Sequence, residues 1–193
     1  MTGIESLYNT EEGKVLIEIK LSSIIQLYNS FDPAPFHEKE LDEEAEQYIV
    51  NIVRDFPKNT EFKIVIYLPD GHSCCDEAFK IPAAIRNHFS YRTLMEERKF
   101  RERVNYGKFS ILIGISFLAV AMVASQAVED YLSAYPPAHL AAIALEVAGW
   151  VAMWEPVTVF LYQLWPILVQ KNLYGKISRM ETEIRPYPPL KPA

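Results

Sequence analysis

Cysteine is scarce in this sequence, which contains only Cys74 and Cys75 among its 193 residues. The two are adjacent, and a disulfide between neighbouring cysteines would strain the peptide that joins them. The N-terminal stretch MTGIESLYNTEEGK also lacks the cationic start and the apolar core of a secretory signal peptide. We therefore expect reduced thiols and an N-terminal domain that stays in the cytoplasm.

Catalytic and cofactor motifs are lacking as well, since no G-x-G-x-x-G, Walker or H-E-x-x-H pattern is present. The segment HSCCD at 72–76 brings His and Cys together, but its spacing is unlike the ligand pairs that enclose a tetrahedral metal ion. His37 and His88 have no nucleophile or carboxylate partner in a known order, and we expect His88 to be a packed, hydrogen-bonded side chain. We predict no catalytic residue, no cofactor and no metal ligand.

A net positive charge is also lacking. The formal net charge is -6 and the isoelectric point is about 5.3. Nucleic-acid binding needs a concentrated cationic surface that displaces counterions from phosphates, so we expect no nucleic-acid partner. The acidic run at 38–46 predicts a solvated helix face.

Charged side chains are nearly absent from one long stretch in the C-terminal half of the chain. Those between positions 109 and 170 are Glu129, Asp130, Glu146 and Glu155. The apolar run at 109–128 is long enough, at about 1.5 Å per residue, to cross about 30 Å of hydrocarbon. It predicts a first transmembrane helix at 109–128 and an extracytoplasmic loop at 129–138.

The second apolar region, 139–170, is longer than one crossing requires. Pro156 and Pro166 each remove a backbone donor and favour a bend. We expect a second transmembrane helix at 139–159, followed by a kinked interfacial segment and a cytoplasmic tail over 160–193. A span at 147–169 would instead place Glu146 at the outer surface, and the sequence leaves both registers open.

Basic residues predict the orientation of this hairpin. The approach to the first helix is rich in Lys and Arg, whereas the loop EDYLSAYPPAH contains neither. Lys and Arg return after the second helix. The positive-inside rule then places both termini in the cytoplasm of the inner membrane, with the lipid bilayer as the first partner.

The region 1–76 predicts a small cytoplasmic α/β domain. KVLIEIKL at 14–21 alternates as a half-buried strand does, and the preceding IESLYN could pair with it as a hairpin. An amphipathic helix is predicted within 37–57, and FKIVIYLP is typical of a strand that is apolar on both faces. This order predicts a parallel strand pair, and so small a sheet needs a further helix, another subunit or the membrane to cover it.

Two helix faces follow from these patterns. The buried stripe of the first helix is predicted to contain Leu41, Ala45, Tyr48, Ile49, Ile52 and Phe56. A second helix, amphipathic and basic, is predicted for 77–108, and it can continue into the first span with only Gly107 as a weak point. Its predicted sheet-facing residues are Phe79, Ile81, Ala84, Ile85, His88, Tyr91, Leu94 and Met95. The fold class is therefore an α+β membrane protein in which a small α/β domain of two or three strands precedes a transmembrane hairpin.

Three sets of residues in the hairpin are candidates for a role. Glu146 and Glu155 are ionisable at membrane depth, which suggests proton or cation handling, although nine residues of helix place them on opposite sides. The alternative is a structural role, in which both carboxylates lie near the membrane interfaces or beside a polar neighbour. Small residues suited to helix packing, within the hairpin or between copies, are Ser110, Gly114, Ala121, Ser125, Ala144, Ala148 and Ala152. Candidate interfacial anchors are Trp150, Trp154, Tyr162 and Trp165.

Three segments, LYNSFDPAPFHEKELDEEAEQYIV, IRNHFSYR and GWVAMWEPVTVFLYQLWP, resemble a family of uncharacterised bacterial proteins with two transmembrane helices and a small N-terminal cytoplasmic α/β domain. The resemblance covers most of the chain and implies no activity, cofactor or catalytic residue. In that family a basic residue often stands at the position of Glu155, which implies a location near the cytoplasmic headgroups.

Three functions remain as hypotheses. The first is a membrane-anchored, non-enzymatic interaction or scaffold protein that forms a homo-oligomer or joins another membrane protein. The second is an oligomeric pore or transport subunit that uses Glu146 or Glu155. The third is a membrane-tethered enzyme, which would need a cytoplasmic pocket with converging polar groups.

Overall fold

The computed structural model describes residues 7–29, 40–69, 78–132 and 134–187. Its strands are β1 (Thr10–Glu11), β2 (Lys14–Lys20), β3 (Phe62–Leu68) and β4 (Glu181–Pro186). Its α-helices are α1 (Glu43–Asp55), α2 (Ile81–Leu132), α3 (Ala138–Ala152), α4 (Trp154–Thr158) and α5 (Leu164–Ile177). The chain is therefore mixed α and β, with one small sheet and two long apolar helical runs.

The four strands form one sheet in the order β1-β2-β3-β4. β1 and β2 are antiparallel and are joined by Glu12 and Gly13, whose φ angles of 52° and 80° suit a tight two-residue hairpin. A hairpin is thus present, but its first strand is Thr10–Glu11, which follows the segment IESLYN that was expected to form it. β2 and β3 are parallel, which confirms the predicted strand–helix–strand pairing.

β4 was not predicted. It pairs in parallel with β3, with Ile66 opposite Ile184, and so becomes the edge of the sheet. The sequence pattern of 160–193 predicted an interfacial segment and a tail, because ETEIRP contains only one apolar side chain other than proline. A neighbouring strand, and not local hydrophobicity, makes this segment extended.

One face of the sheet packs against the helices. The residues of β3 that point into the core are Phe62, Ile64, Ile66 and Leu68, and they are buried together with the alternate residues of β2. α1 begins at Glu43 after Asp42, whose side chain accepts a hydrogen bond from the amide of Glu44. The helices supply the cover that the sheet was expected to need.

Two predicted helix faces need correction. On α1, Tyr48 is 47% exposed, because its hydroxyl reaches the carbonyl of Glu18 across the surface. On the second helix Phe79, Tyr91 and Leu94 are exposed, and Phe89 is fully buried. The predicted positions Ile81, Ala84, Ile85 and His88 are buried, which confirms that part of the stripe.

Contacts divide the chain into two compact units, Met1–Leu94 with Gln170–Ala193 and Met95–Val169. α2 begins in the first unit and ends in the second without interruption, as the sequence allowed. By length and composition, the helical runs Ala78–Leu132 and Ala138–Ile177 are each apolar enough to cross a membrane.

The second helical run is continuous but irregular. α3 ends at Ala152, and α4 begins two residues later with Pro156 in its first turn. A π-helical turn, Val159–Gln163, then precedes α5, which contains Pro166. In a regular α-helix the ring of Pro166 would crowd the carbonyl of residue 162, and the wider π-helical turn includes that residue. The prolines therefore change the local helix type without ending the run.

Candidate functional site

Within the second unit, the two apolar helical runs contact each other through small residues. One set of buried residues recurs every seven positions, and its members are Gly107, Gly114 and Ala121 on α2 and Ala142, Gly149 and Pro156 on the second run. A seven-residue interval returns to the same side of a helix, as in a coiled-coil seam. The position of a Cβ on Gly149 would lie 3.1 Å from the Cβ of Ala121. Small side chains therefore allow this close approach.

The seam contains some of the predicted packing residues and not others. Ala121 and Ser125 are buried, and Ala152 is half-buried beside Gly114. Ala144 and Ala148 are exposed on a different side of α3, so they make no packing contact within the hairpin. Ser110 is half-buried on α2. The seam residues missing from the predicted packing set are Gly107, Ala142, Gly149 and Pro156, and their seven-residue spacing was the available signal.

Each of the two candidate carboxylates has a polar neighbour on α2. Ser125 Oγ donates to Glu146 Oε1 at 3.2 Å, and Tyr106 Oη donates to Glu155 Oε1 at 3.1 Å. The guanidinium of Arg103 lies 5.7 Å from the centre of the Tyr106 ring. The structure does not bring Glu146 and Glu155 together. Each carboxylate forms its own pair.

The candidate aromatic anchors all lie on the surface of this unit. Trp150, Trp154, Tyr162 and Trp165 are each about two-thirds exposed or more. The first two, with Val147, Val151 and Glu155, line an open groove of about 620 Å³ along α3. Three predicted residues therefore share one surface, and it is mainly apolar.

A cluster around Glu46 is the most enclosed polar site in the described part of the first unit. His88 Nε2 lies 2.9 Å from Glu46 Oε2, and Tyr174 Oη donates to Oε1 at 2.9 Å. Arg92 donates through Nε and Nη2 to the same carboxylate at 2.8 to 3.0 Å. The cluster therefore ties α1, α2 and α5 together around one negative charge.

The electrostatics of this cluster favour an ionised carboxylate. Burial raises the pKa of Glu46, but hydrogen bonds from His88, Arg92 and Tyr174 outweigh burial and lower that pKa to about 2. Glu46 is only 6% exposed. The acidic run was predicted to be solvated, which is wrong for Glu46. The signal was present, because Ile49, Val50 and Val53 place a buried face three, four and seven residues after it.

The outer face of the sheet carries a second set of charge pairs. Lys63 Nζ lies 2.7 Å from Glu183 Oε2, and Arg185 bonds both Glu183 and Glu11. Hydrogen bonds from Arg185 and Lys63 lower the pKa of Glu183 to about 2. These side chains lie above Val65, which is fully buried. The pairs thus connect β1, β3 and β4 on the face away from the helices.

The metal-binding prediction can be compared with the structure only in part. The HSCCD segment at 72–76 and His37 lie outside the described residues. Within 7–29, 40–69, 78–132 and 134–187, no group of three potential metal-ligating side chains lies together. As expected from the sequence, His88 is packed and hydrogen-bonded.

No protein-family model, no curated protein and no solved structure matches the chain. The resemblance described from the sequence therefore rests on its three segments alone.

Proposed function

We propose that this protein is a membrane-anchored, non-enzymatic interaction or scaffold protein at the cytoplasmic face of the inner membrane. Its two apolar helical runs cross the bilayer as a hairpin, and both termini lie in the cytoplasm. It works as an oligomer or as a subunit of a larger membrane complex. The observation that carries the proposal is the pairing of β4 with β3 across the apolar hairpin.

The exposed surface of the hairpin supports anchoring in lipid. In each helical run, only 17% of the most apolar window is buried. A core helix of a soluble protein is mostly buried, so that explanation does not fit these helices. Removing apolar surface from water is favourable by about 25 cal/mol per Å². A bilayer supplies this cover along the apolar part of both runs.

The strand pairing supports two crossings. The chain leaves the sheet domain through α2 and returns to it through α5 and β4. A single folded domain lies on one side of a membrane, and an even number of crossings meets that condition. Lys and Arg at both ends of the hairpin favour the cytoplasmic side.

The polar contacts support a register for the hairpin. α2 has no charged residue between Lys108 and Glu129, a length of about 30 Å that matches a hydrocarbon core. Tyr106 contacts Glu155, and this contact supports a position of Glu155 near the inner end of the span. Ser125 lies one turn before Glu129 and contacts Glu146, and this contact supports a position of Glu146 near the outer end of the span. This register favours the interfacial interpretation of both carboxylates over a shared ion path.

The interaction role is supported by the outer face of the sheet. No described helix covers this face, and it presents charged side chains of both signs, among them Lys63, Glu181 and Glu183. A surface of this kind suits a protein partner or a second copy, because charge pattern selects partners and register. The groove along α3 offers a second contact surface within the membrane.

Cysteine labelling in intact cells tests the topology. Cys74 and Cys75 are first replaced by Ser, and then Tyr135→Cys or Arg179→Cys is introduced. Both native residues are exposed. A membrane-impermeant maleimide should label Tyr135→Cys in whole cells and should label Arg179→Cys only after the membrane is permeabilised.

Labelling of Arg179→Cys in whole cells, or release of the protein by alkaline carbonate, would contradict the proposal. The mass of the detergent-extracted complex then tests whether the protein forms an oligomer or joins a larger complex. A mass well above that of one 22.2 kDa chain is expected. A monomer that recruits no other protein would argue against the scaffold role while leaving the anchoring intact.

A further inference from the structure

The outer edge of β4 is an open strand edge in the described part of the chain. β4 is the last strand in the order β1-β2-β3-β4, and no described segment pairs with its far side. A strand edge of this kind presents a row of backbone donors and acceptors. Such an edge can accept a further strand through main-chain hydrogen bonds.

The pairing with β3 determines which backbone groups of β4 point outward. The N–H of Tyr187 donates to the carbonyl of Leu68 on β3 at 3.1 Å. Successive residues of a strand direct their N–H and C=O groups to opposite edges, so the odd-numbered residues of β4 also point toward β3. The backbone groups of Thr182, Ile184 and Pro186 therefore point to the open edge.

Pro186 limits what this edge can bind. It has no N–H, so the outward donors of β4 are those of Thr182 and Ile184. A proline on an edge strand hinders indiscriminate pairing. A strand that fits this edge is therefore short, and it must not need a donor from Pro186.

A second copy of β4 in antiparallel orientation meets this requirement in one register. A twofold axis between two copies places identical surfaces against each other. When Ile184 lies opposite Ile184 of the second copy, the two residues exchange both of their N–H···O bonds. Thr182 of each copy then donates to the carbonyl of Pro186 of the other copy. No N–H is needed from Pro186, and the carbonyl of Thr182 can bind water.

The charges of β4 select the same register. In this register Glu183 lies opposite Arg185 of the second copy, so opposite charges meet twice on the outer face of the sheet. Within one chain Arg185 already lies 2.8 Å from Glu183, and the two copies together would form a ring of alternating charges. Ile184 points to the other face, where it is partly buried against the core, and gains an apolar neighbour.

The neighbouring registers oppose like charges. Sliding the second strand by two residues in one direction places Glu183 opposite Glu183 of the second copy. Sliding it by two residues in the other direction places Arg185 opposite Arg185. Like charges that lie directly opposite each other destabilise a strand pair. Hydrogen bonding and charge therefore favour one and the same alignment.

We infer that two copies of this protein join through antiparallel pairing of their β4 strands, with Ile184 opposite Ile184, so that one sheet continues from one copy into the other. The inference rests on the homo-oligomer of the proposed function and names its contact surface as residues 182–186. The partner at this edge is a second copy of the same chain.

Cysteine cross-linking of the full chain in its membrane tests the register. Cys74 and Cys75 are replaced by Ser, and Ile184→Cys or Thr182→Cys is introduced. Opposite residues of a hydrogen-bonded antiparallel pair have Cα atoms about 5.5 Å apart, which is within disulfide range. The two copies of Thr182 lie four residues apart along this pair, about 13 Å. Oxidation should link most of Ile184→Cys into dimers and several-fold less of Thr182→Cys, the matched control on the same edge and face.

The outcomes separate this inference from the proposed function. Equal linking of both variants, or linking of Thr182→Cys alone, would overturn the register. Failure of Ile184→Cys to link while the native chain is an oligomer by mass would overturn the β4 contact and leave the proposed oligomer standing. A native chain that is a monomer by mass would remove both.

A measurement on the unmodified oligomer covers the case in which a variant fails to fold. In hydrogen exchange, the inferred pairing protects the outward amides of Thr182 and Ile184 as well as the inward amides of Glu183 and Arg185. Rapid exchange of the outward amides beside slow exchange of the inward ones would overturn the inference. Protection of both sets in a complex of one copy with a different protein would also overturn it, because the added strand would then be foreign.

Discussion

The carbonyl oxygen of Ala152 lies 3.1 Å from the position that a Cβ atom would occupy on Gly114. Ala152 is four residues before Pro156, which has no N–H to donate to that carbonyl. The oxygen thus lies against glycine, the one residue type that leaves room for it. The Cα–H group of a glycine is also a weak hydrogen-bond donor. The break between α3 and α4 and a close approach of the two helical runs therefore occur at the same point.

A larger side chain at Gly114 should separate the two runs. Gly114→Leu places carbon atoms against the carbonyl oxygen of Ala152 and the sulfur of Met153. Each of these two atoms lies 3.1 Å from the Cβ position at Gly114. The contact at Ala152 is with backbone, which has little freedom to move. We expect a loss of about 1 to 3 kcal/mol in the free energy of unfolding. Thermal unfolding of the detergent-extracted protein measures this loss of stability.

Ala119→Leu is the matched control for that change. Ala119 lies on the exposed side of α2, so the same final side chain is introduced where no neighbouring helix opposes it. Its unfolding temperature should stay close to that of the native chain. Equal losses for both variants would mean that the seam does not hold the hairpin together.

Acid should destabilise the α/β domain through Glu46. The pKa of Glu46 is lowered from 4.5 in the unfolded chain to about 2 in the folded domain, so its contribution is fully present above pH 4.5. The contribution is lost as the pH falls from 4.5 through about 2, where the folded form also becomes protonated. The difference in pKa corresponds to about 3 kcal/mol.

Glu46→Gln should flatten this part of the stability–pH profile. Denaturant titrations at a series of pH values, followed by circular dichroism, measure the change. Glu44→Gln on the exposed side of α1 is the control, and its profile should retain the native slope. A native slope in Glu46→Gln would show that other carboxylates cause the acid sensitivity.

The position of β4 in the sheet can be tested by charge exchange. Lys63→Glu puts a carboxylate between Glu181 and Glu183, so we expect a lower denaturation midpoint. The double variant Lys63→Glu with Glu183→Lys should recover part of that loss, because opposite charges again meet across β3 and β4. Lys58→Glu, at an exposed position, should have little effect. Failure of the second substitution to restore any stability would contradict the strand pairing.

Tryptophan fluorescence can test the proposed register in the membrane. Variants that retain only Trp150 or only Trp165 are made with Phe at the other two positions and are reconstituted in lipid that is brominated in mid-chain. Trp150 precedes Glu155 by five residues and Trp165 follows it by ten, so Trp150 should be quenched more strongly. A span at 147–169 has its centre at position 158, about equally far from Trp150 and Trp165, so nearly equal quenching of the two would favour that span over the span at 139–159.

Local patterns in the sequence predicted the elements that depend on their own residues. KVLIEIKL and FKIVIYLP are strands because β-branched side chains suit a pleated surface with at least one buried face. α1 follows from apolar residues at helical spacing, an acidic first turn and the Asp42 cap. The two apolar runs follow from the near absence of charge between 109 and 170.

Other features depend on contacts between distant segments. β4 is extended because β3 offers it a hydrogen-bonded edge, and its charged side chains are satisfied by Lys63 and by Glu11. Glu46 is buried because His88 and Tyr174 converge on it from other helices, 42 and 128 residues away in the chain. Patterns within one segment contain no information about such partners.

The sequence by itself determined the two strands at the centre of the sheet, the first amphipathic helix and the two apolar helical runs, since hydrophobic spacing and the lack of charge act within each segment. The tertiary structure alone decided that β4 completes the sheet, which side chains bind the buried carboxylate of Glu46, and which small residues of the two runs face each other in the seam. These depend on hydrogen bonds and close packing between segments far apart in the chain, which form only when the segments meet.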